Sequence, residues 1–315
     1  MKKIIDHSIN IVMYHYVRPI KKSKYPNIKG LEFEDFKEQI NFFSKKFNII
    51  SHKRFIEIIK SKKIPQKPSF MLTFDDGYID HYKYVFQYLR KKKIPACFYP
   101  PKKVIENKTV LDVNKIHFIL EKEQNRKKIL NEIDNLLIKK NKKTINQLDI
   151  SKIKYLNDLY DDKDTSLIKR LLQYFLPLED RIYIVDELFK KIVNKSFKSF
   201  AKEIYMNVNH IKEMYSEGMT FGSHGDQHFY WEFLDKNKQQ KELLNSIKFY
   251  RKLDFNTDNI SVCYPFGSYN KTTLEILKKN NISFALSTHV GNITQKNIFD
   301  KYILPRMDTN DFKVW

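Results

Sequence analysis

Short apolar segments alternate with amphipathic segments along most of the chain. The apolar segments predict strands at residues 9–17, 69–74, 96–99, 219–223, 260–264, 283–288 and 303–304. Between them, apolar side chains recur every three or four residues, which predicts helices at 33–47, 82–93, 243–253 and 271–279. Asn270 is the expected N-cap of the last helix. Such alternation is typical of β/α units around a parallel sheet.

One long segment breaks this alternation. From about residue 110 to residue 202 the helical periodicity continues, and the sequence contains no convincing strand. Pro100 and Pro101 mark the entrance to the segment. We therefore predict an α/β domain formed by 1–101 and 204–315, interrupted by a helical insertion at 102–203.

The chain carries 58 lysines and arginines against 37 aspartates and glutamates, a formal net charge of +21. These lysines are spread along the whole chain, and lysine, isoleucine and asparagine are abundant everywhere, as an AT-rich genome would encode. We therefore expect no specific nucleic-acid binding, whereas an anionic substrate is compatible with the charge.

Compartment and membrane contact are predicted from the apolar runs and the cysteines. No apolar run approaches the roughly 18 to 20 residues that cross a bilayer, and Asp6, His7 and Asn10 interrupt the first apolar stretch, which argues against a signal peptide. Cys97 and Cys263 are the only cysteines. We predict a cytoplasmic protein without a transmembrane segment.

Two carboxylates, Asp75 and Asp76, directly follow the predicted strand 69–74. Adjacent like charges repel, so their place at a strand end indicates a cationic partner. In parallel α/β folds, catalytic residues gather at the carboxyl ends of the strands. Gly77 then permits a sharp turn. The structural alternative is a turn in which one aspartate caps the next helix.

Two histidines, His224 and His228, follow the predicted strand 219–223. At this spacing they are expected on one face of a helical turn, where both rings can reach one ion. Two histidines and one carboxylate form a common zinc set that leaves a position for water. The spacing alone is a weak signal, because nine histidines in 315 residues produce it by chance.

A third motif, Cys-Tyr-Pro-Phe-Gly at 263–267, begins in the last two residues of the predicted strand 260–264. Proline and glycine around an aromatic residue indicate a rigid loop whose backbone N–H can stabilise an oxyanion. A tight loop with a packed aromatic ring is the alternative.

In this order, the three motifs resemble those of the NodB-like polysaccharide deacetylases, carbohydrate esterase family 4. Residues 73–77, Thr-Phe-Asp-Asp-Gly, match the first family motif in full. His224 and His228 match the second, with Gly225 in the place of Ser or Thr. Residues 263–267 keep the Pro-Phe-Gly of the third.

The resemblance covers about 1–101 and 204–308, and it implies a distorted (β/α)7 barrel of the NodB-homology type that carries the helical insertion. The Tyr-His pair that ends at His15 also looks like the opening strand of many members. His15 and Tyr264 are therefore predicted to contact substrate, although a core histidine is an open alternative for His15.

The resemblance also implies the roles of the matching residues. Asp76, His224 and His228 would bind a divalent metal ion, with zinc favoured over cobalt, nickel or iron. Asp75 would be the general base, because it lies in reach of water that the metal has acidified. The backbone N–H of Phe266 would hold the oxyanion.

Two family features are missing. Cys263 stands where the family has the arginine that orients the catalytic base; we predict that Arg306 supplies this charge, with an ion pair to Asp308 as the alternative. The late histidine motif that provides the general acid is absent, and His289 is our candidate, against a surface histidine. Cys263 is expected to be a buried thiol rather than a fourth metal ligand.

Two further features of the sequence each have two possible interpretations. Asp226, between the two histidines, is either a partner of a ligand or solvated. The Phe-Tyr-Trp run at 229–231 either packs in the core, which we favour, or stacks on a sugar ring.

The function predicted from these residues is metal-dependent removal of an N-acetyl group from an amino sugar, in a polysaccharide or a glycan precursor. The substrate is expected to be anionic, or linked to a nucleotide or lipid. An O-acetyl esterase with the same site is one alternative. A catalytically inactive carbohydrate-binding or scaffold protein is the other.

Overall fold

A computed structural model describes residues 7–106, 109–149 and 161–311. Its strands, in chain order, are β1 (Ile9–Tyr14), β2 (Val17–Arg18), β3 (Leu31–Glu32), β4 (Asn48–Ile49), β5 (Ser69–Asp75), β6 (Cys97–Tyr99), β7 (Thr220–Phe221), β8 (Val262–Cys263), β9 (Ala285–Val290) and β10 (Leu304–Asp308).

Seven of these strands form a ring of parallel pairs. The order is β7-β6-β5-β1-β10-β9-β8, and each neighbouring pair is parallel. An isolated parallel bridge between Ser223 and Val262 joins the end of β7 to β8 and closes the ring. Since β7 and β8 have only two residues each, the closure is irregular. This is the distorted (β/α) barrel that the sequence predicts.

Helices connect the strands. They are α1 (Phe33–Lys46), α2 (His52–Ser61), α3 (Gln87–Lys91), α4 (Lys102–Ile105), α5 (Asp112–Lys122), α6 (Arg126–Lys139), α7 (Lys163–Arg170), α8 (Leu178–Leu188), α9 (Phe197–Ile204), α10 (Val208–Ser216), α11 (Lys236–Arg251) and α12 (Lys271–Lys279). A π-helical turn, His81–Phe86, precedes α3. Within the described ranges, none of the helices has the length and apolarity needed to cross a membrane.

Local sequence signals explain where several helices begin. The Asn270 side chain accepts a hydrogen bond from the Thr273 N–H and caps α12, as predicted. The Ser51 side chain caps α2 in the same way. Our reading of the sequence missed α2, although its buried face, Phe55, Ile58 and Ile59, has helical spacing.

The chain divides into two compact units. One comprises residues 1–19, 29–109 and 201–315 and contains the barrel. The other comprises residues 20–28 and 110–200; its described part is helical, and Tyr25 packs edge-on against Phe118 and Phe200 inside it. The predicted boundaries of the helical insertion, 102–203, stay a prediction.

Candidate active site

The predicted polar residues meet at the carboxyl edge of the barrel strands. Asp75 is the last residue of β5, and Asp76 follows it. His224 comes directly after Ser223, whose backbone pairs with β8. Arg306 lies within β10, not after the last strand as the sequence suggested. Because all these strands are parallel, their ends lie at one edge of the ring.

Asp76, His224 and His228 form a buried cluster. Oδ1 of Asp76 lies 3.5 Å from Nε2 of His224 and 3.4 Å from Nε2 of His228. Two ligands of a tetrahedral zinc ion, with bonds of about 2.0 to 2.1 Å, lie about 3.3 Å apart. The spacing of the three side chains therefore fits one such ion.

The hydrogen bonds of the cluster support the same interpretation. Nδ1 of His224 lies 2.7 Å from the carbonyl oxygen of Cys263, so this nitrogen carries the proton and Nε2 offers a lone pair towards Asp76. Oδ1 of Asp76 is buried and has no hydrogen-bond partner among the described residues. A buried carboxylate oxygen without such a partner is costly unless a cation satisfies it.

The electrostatics favour a positive charge between the three side chains. Burial alone raises the pKa of the Asp76 carboxyl, but the two histidines lower it, and the net pKa is well below the ordinary value. Burial lowers the pKa of His228 to about 3, so this ring is neutral near pH 7. Burial also lowers the pKa of His224, but Cys263, Asp76 and Asp75 raise it more, and the net pKa is well above the ordinary value, which favours a positive charge at this position.

Asp75 is held by an arginine from the opposite end of the chain. Nη1 of Arg306 lies 2.8 Å from Oδ2 of Asp75, and Arg306 is only 2% exposed. Nε of Arg306 also donates to the Ser287 carbonyl at 3.1 Å. Burial raises the pKa of Asp75, whereas Arg306 and His224 lower it, and the net pKa is below the ordinary value. Asp75 is therefore an ionised carboxylate whose Oδ1 has no hydrogen-bond partner among the described residues.

The neighbours of this pair answer the question of which carboxylate Arg306 contacts. Asp308, the alternative partner of Arg306, instead accepts hydrogen bonds from Asn310. Cys263 is a buried free thiol whose Sγ lies 3.4 Å from Oδ2 of Asp75. The thiol therefore contacts the carboxylate that the family arginine would contact.

The loop that carries the two histidines is not the helical turn we predicted. Gly225 and His228 have left-handed backbone conformations, with φ of 75° and 63°. Glu242 of α11 holds the loop, because its Oε2 accepts hydrogen bonds at 2.9 Å from the N–H groups of both Asp226 and Gln227. The only sequence signal for the contact between Glu242 and this loop was a glutamate on the buried face of an amphipathic helix, and our prediction did not include it.

Asp226 anchors the same loop rather than binding a histidine. Its carboxylate accepts a hydrogen bond from Nδ2 of Asn245 at 2.6 Å and lies 3.4 Å from Nζ of Lys102. The backbone N–H of Lys103 donates to the Asp226 carbonyl at 3.0 Å. Asp226 is buried, so the solvated side chain is wrong, and its carboxylate contacts Asn245 and Lys102 rather than a histidine.

The third motif forms a tight 3₁₀ turn, Pro265–Gly267, next to His228. Phe266 has a left-handed φ of 57°, and its ring lies 4.6 Å from the His228 ring. Tyr230 stacks on Phe266 at 3.9 Å, with the two rings parallel within 1°. Trp231 is fully buried and packs in the core. Tyr230 is half-buried and lies at the rim of the site.

The remaining predicted residues differ in how they relate to the cluster. His15 is half-buried, and its charge is among those that lower the pKa values of Asp75 and Asp76 after the larger effects of burial and nearer charges. Tyr264 is buried, and its hydroxyl donates to the Tyr302 carbonyl at 2.7 Å. His289 is exposed near the end of β9, and its ring lies 6.2 Å from that of Tyr269.

A seven-stranded parallel barrel with an Asp-His-His cluster at its carboxyl edge defines a barrel of the NodB type. The family described as polysaccharide deacetylase matches residues 62–135 and 184–285, more than half of the chain. The chain belongs to the polysaccharide deacetylase family, as the motifs predict.

Individual relatives are distant. The chain is 28% identical over 94 residues to YxkH of Bacillus subtilis strain 168, which carries the name of a polysaccharide deacetylase; the match spans 30% of this chain and 33% of YxkH. The structure resembles the Streptococcus pyogenes deacetylase PplD in complex with acetate, with a TM-score of 0.60, 18% identity, and coverage of 96% of this chain and 93% of PplD.

Two other solved structures have the same fold. IcaB from Ammonifex degensii has a TM-score of 0.54 at 15% identity, covering 96% of this chain and 92% of IcaB. The BpsB deacetylase domain from Bordetella bronchiseptica has a TM-score of 0.53 at 13% identity, covering 98% of this chain and 100% of that domain. These likenesses confirm the predicted fold.

Proposed function

We propose that the protein is a metal-dependent hydrolase that removes an N-acetyl group from an amino sugar. The observation that carries this proposal is the arrangement of two carboxylates with separate partners. Asp76 faces two histidines, whereas Asp75 is paired with Arg306. One carboxylate thus suits a metal ion and the other suits proton transfer. PplD, the structural neighbour, was observed with acetate, which is the product of the proposed reaction.

Asp76, His224 and His228 would hold the ion, and zinc is the metal we favour on ligand type, ahead of cobalt, nickel or iron. A divalent ion at this place supplies the Lewis acidity that acidifies water and polarises the acetyl carbonyl.

Asp75 accepts the proton of the attacking water. Its Oδ1 is the available oxygen, since Oδ2 is bound to Arg306 and contacts the Cys263 thiol. Arg306 keeps this carboxylate ionised and fixes its orientation, which is the part that the third-motif arginine has in the resembling family. The backbone N–H of Phe266 stabilises the oxyanion, because the left-handed turn presents this part of the loop beside His228.

A proton must then reach the leaving amine. His289 is the donor predicted from the sequence, and His15 is the second candidate. His15 is favoured because it is among the groups that lower the pKa of both Asp75 and Asp76, whereas the exposed His289 ring contacts Tyr269. Histidine is the residue type that most often serves as a general acid.

The sugar would lie against the aromatic side chains at the rim of the site. Tyr230 and Phe266 offer stacked rings next to His228, and aromatic faces suit the apolar side of a pyranose. An anionic, nucleotide-linked or lipid-linked sugar and a cytoplasmic location stay predictions from the sequence.

The test combines elemental analysis of the purified protein with acetate release from paired N-acetylated and O-acetylated sugars. We expect about one zinc per chain and acetate from the N-acetylated member. Asp75→Asn should keep the metal and lose hydrolysis by a factor of about 10² to 10⁴. Metal-free protein, or unchanged hydrolysis by Asp75→Asn, would contradict the proposal. Release from O-acetylated sugars alone would establish the esterase, and bound metal without hydrolysis would favour a binding protein.

A further inference from the structure

The two oxygens of the Asp76 carboxylate have different partners. Oδ1 faces His224 and His228, whereas Oδ2 accepts a hydrogen bond from the Tyr78 hydroxyl at 2.6 Å. Tyr78 is completely buried. An ionised carboxylate only accepts hydrogen bonds, so the tyrosine must be the donor. The short distance is typical of a charge-assisted O–H···O bond.

The turn after β5 brings this hydroxyl back to a residue only two positions earlier. Asp76 and Gly77 both have left-handed backbone conformations, with φ of 67° and 70°. Two neighbouring backbone groups hold the turn: Met206 donates its N–H to the Gly77 carbonyl at 2.9 Å, and Tyr78 forms an antiparallel bridge with Tyr205.

The Tyr78 ring packs against two other tyrosine rings. The Tyr16 ring stacks on it at 4.0 Å with an angle of 23°, and the Tyr205 ring lies parallel at 6.1 Å. The segment that follows Tyr78 is tied to the segment after β1 by the buried ion pair of Arg18 with Asp80, at 2.6 Å. Since the ring is completely buried and packed against these neighbours, its hydroxyl is held towards Oδ2.

We infer that Tyr78 is a positioning residue for the metal ligand Asp76, which it restricts to binding an ion through Oδ1 alone. This inference rests on the metal site of the proposed function. A carboxylate with two free oxygens can bind an ion through both, and would then occupy the position that water needs. The hydrogen bond from Tyr78 occupies Oδ2 and so leaves the ion with three protein ligands.

The test compares Tyr78→Phe with Tyr14→Phe. Both variants remove one buried tyrosine hydroxyl, but that of Tyr14 donates to Gln39 at 3.2 Å and does not contact the cluster. The full-length proteins are titrated with Zn²⁺ against a chromophoric chelator, and their Co²⁺ forms are examined by visible absorption. We expect Tyr78→Phe to bind Zn²⁺ about 10- to 100-fold more weakly, with an altered Co²⁺ spectrum, and Tyr14→Phe to behave as wild type.

A second variant covers the case in which Tyr78→Phe does not fold. Replacing Tyr78 by 3,5-difluorotyrosine keeps the ring nearly isosteric and makes the hydroxyl a stronger donor, so the Co²⁺ spectrum should shift without loss of the fold. Wild-type Zn²⁺ affinity together with an unchanged Co²⁺ spectrum in either variant overturns the inference. A wild-type protein that binds no Zn²⁺ overturns both this inference and the proposed function, which separates the two failures.

Discussion

Arg306 and Asp75 form a buried ion pair across the barrel, with 2.8 Å between Nη1 of the arginine and Oδ2 of the aspartate. The sheet order explains how the two residues meet, because β1 lies between β5, which ends at Asp75, and β10, which contains Arg306. In the resembling family the corresponding arginine belongs to the third motif, where this chain has Cys263. The positive charge beside Asp75 therefore comes from a different strand.

Replacing Arg306 by alanine should destabilise the protein strongly. The substitution leaves the Asp75 carboxylate buried without its cation, and breaking a buried pair in this way costs about 3 to 5 kcal/mol. Chemical denaturation measures the loss. Arg54 is the matched control, because its pair with Glu57 has nearly the same distance, 2.9 Å, but the Arg54 side chain is 60% exposed. Arg54→Ala should cost less than about 1 kcal/mol. Equal losses in the two variants would refute the structural importance of the Arg306 pair.

The identity of the proton donor can be tested by comparing His15→Ala with His289→Ala. The variant that removes the donor should reduce kcat by a factor of about 10² to 10⁴. The position of His15 relative to the two carboxylates leads us to expect this result for His15. His289→Ala should then reduce kcat by a smaller factor. A substrate with a good leaving group supplies the control, since its hydrolysis needs no acid and should be restored in the affected variant.

The strand-end residues were predictable because one rule governs them. Asp75, Asp76 and His224 each follow an apolar segment, and parallel strands bring their carboxyl ends to one edge. Three features were not predictable in this way. The left-handed conformation of His228 accompanies a loop that Glu242 holds from a separate helix, and the bond from Tyr78 to Asp76 requires a left-handed turn. These depend on tertiary contacts that no local pattern encodes.

A buried histidine distant from the cluster should make the stability of the protein depend on pH. Burial lowers the pKa of His52 from 6.5 to about 4, and its Nε2 lies 2.8 Å from Oγ of Ser261. Because the pKa of His52 is lower in the folded protein than in the unfolded chain, the unfolded chain binds the proton first as the pH falls. The stabilisation is therefore complete above about pH 6.5 and is lost between pH 6.5 and pH 4, by roughly 3 kcal/mol in total.

His52→Gln isolates this contribution, since glutamine can bond to Ser261 but does not titrate. The free energy of unfolding is measured at several pH values for both proteins, without metal. The decrease from pH 7 to pH 4 should be roughly 3 kcal/mol larger in the wild type. Parallel pH curves for the two proteins would show that His52 does not titrate as the structure indicates.

Gly267, next to the proposed oxyanion donor, should not tolerate a side chain. Its φ is +71°, and an added Cβ would lie 2.1 Å from Oγ1 of Thr288. Gly218 has a similar φ of +87° but open space around the added atom, so Gly218→Ala measures the backbone strain alone, about 1 to 2 kcal/mol. Gly267→Ala should lower the melting temperature further than Gly218→Ala does. It should also reduce kcat with a smaller change in KM, because relief of the clash displaces the Phe266 N–H.

Adding Thr288→Ala to Gly267→Ala removes the two closest atoms and should restore part of both losses, which a double-mutant cycle measures. Equal stability losses in Gly267→Ala and Gly218→Ala, with no recovery in the double variant, would show that the loop accommodates the added methyl group without displacing the Phe266 N–H.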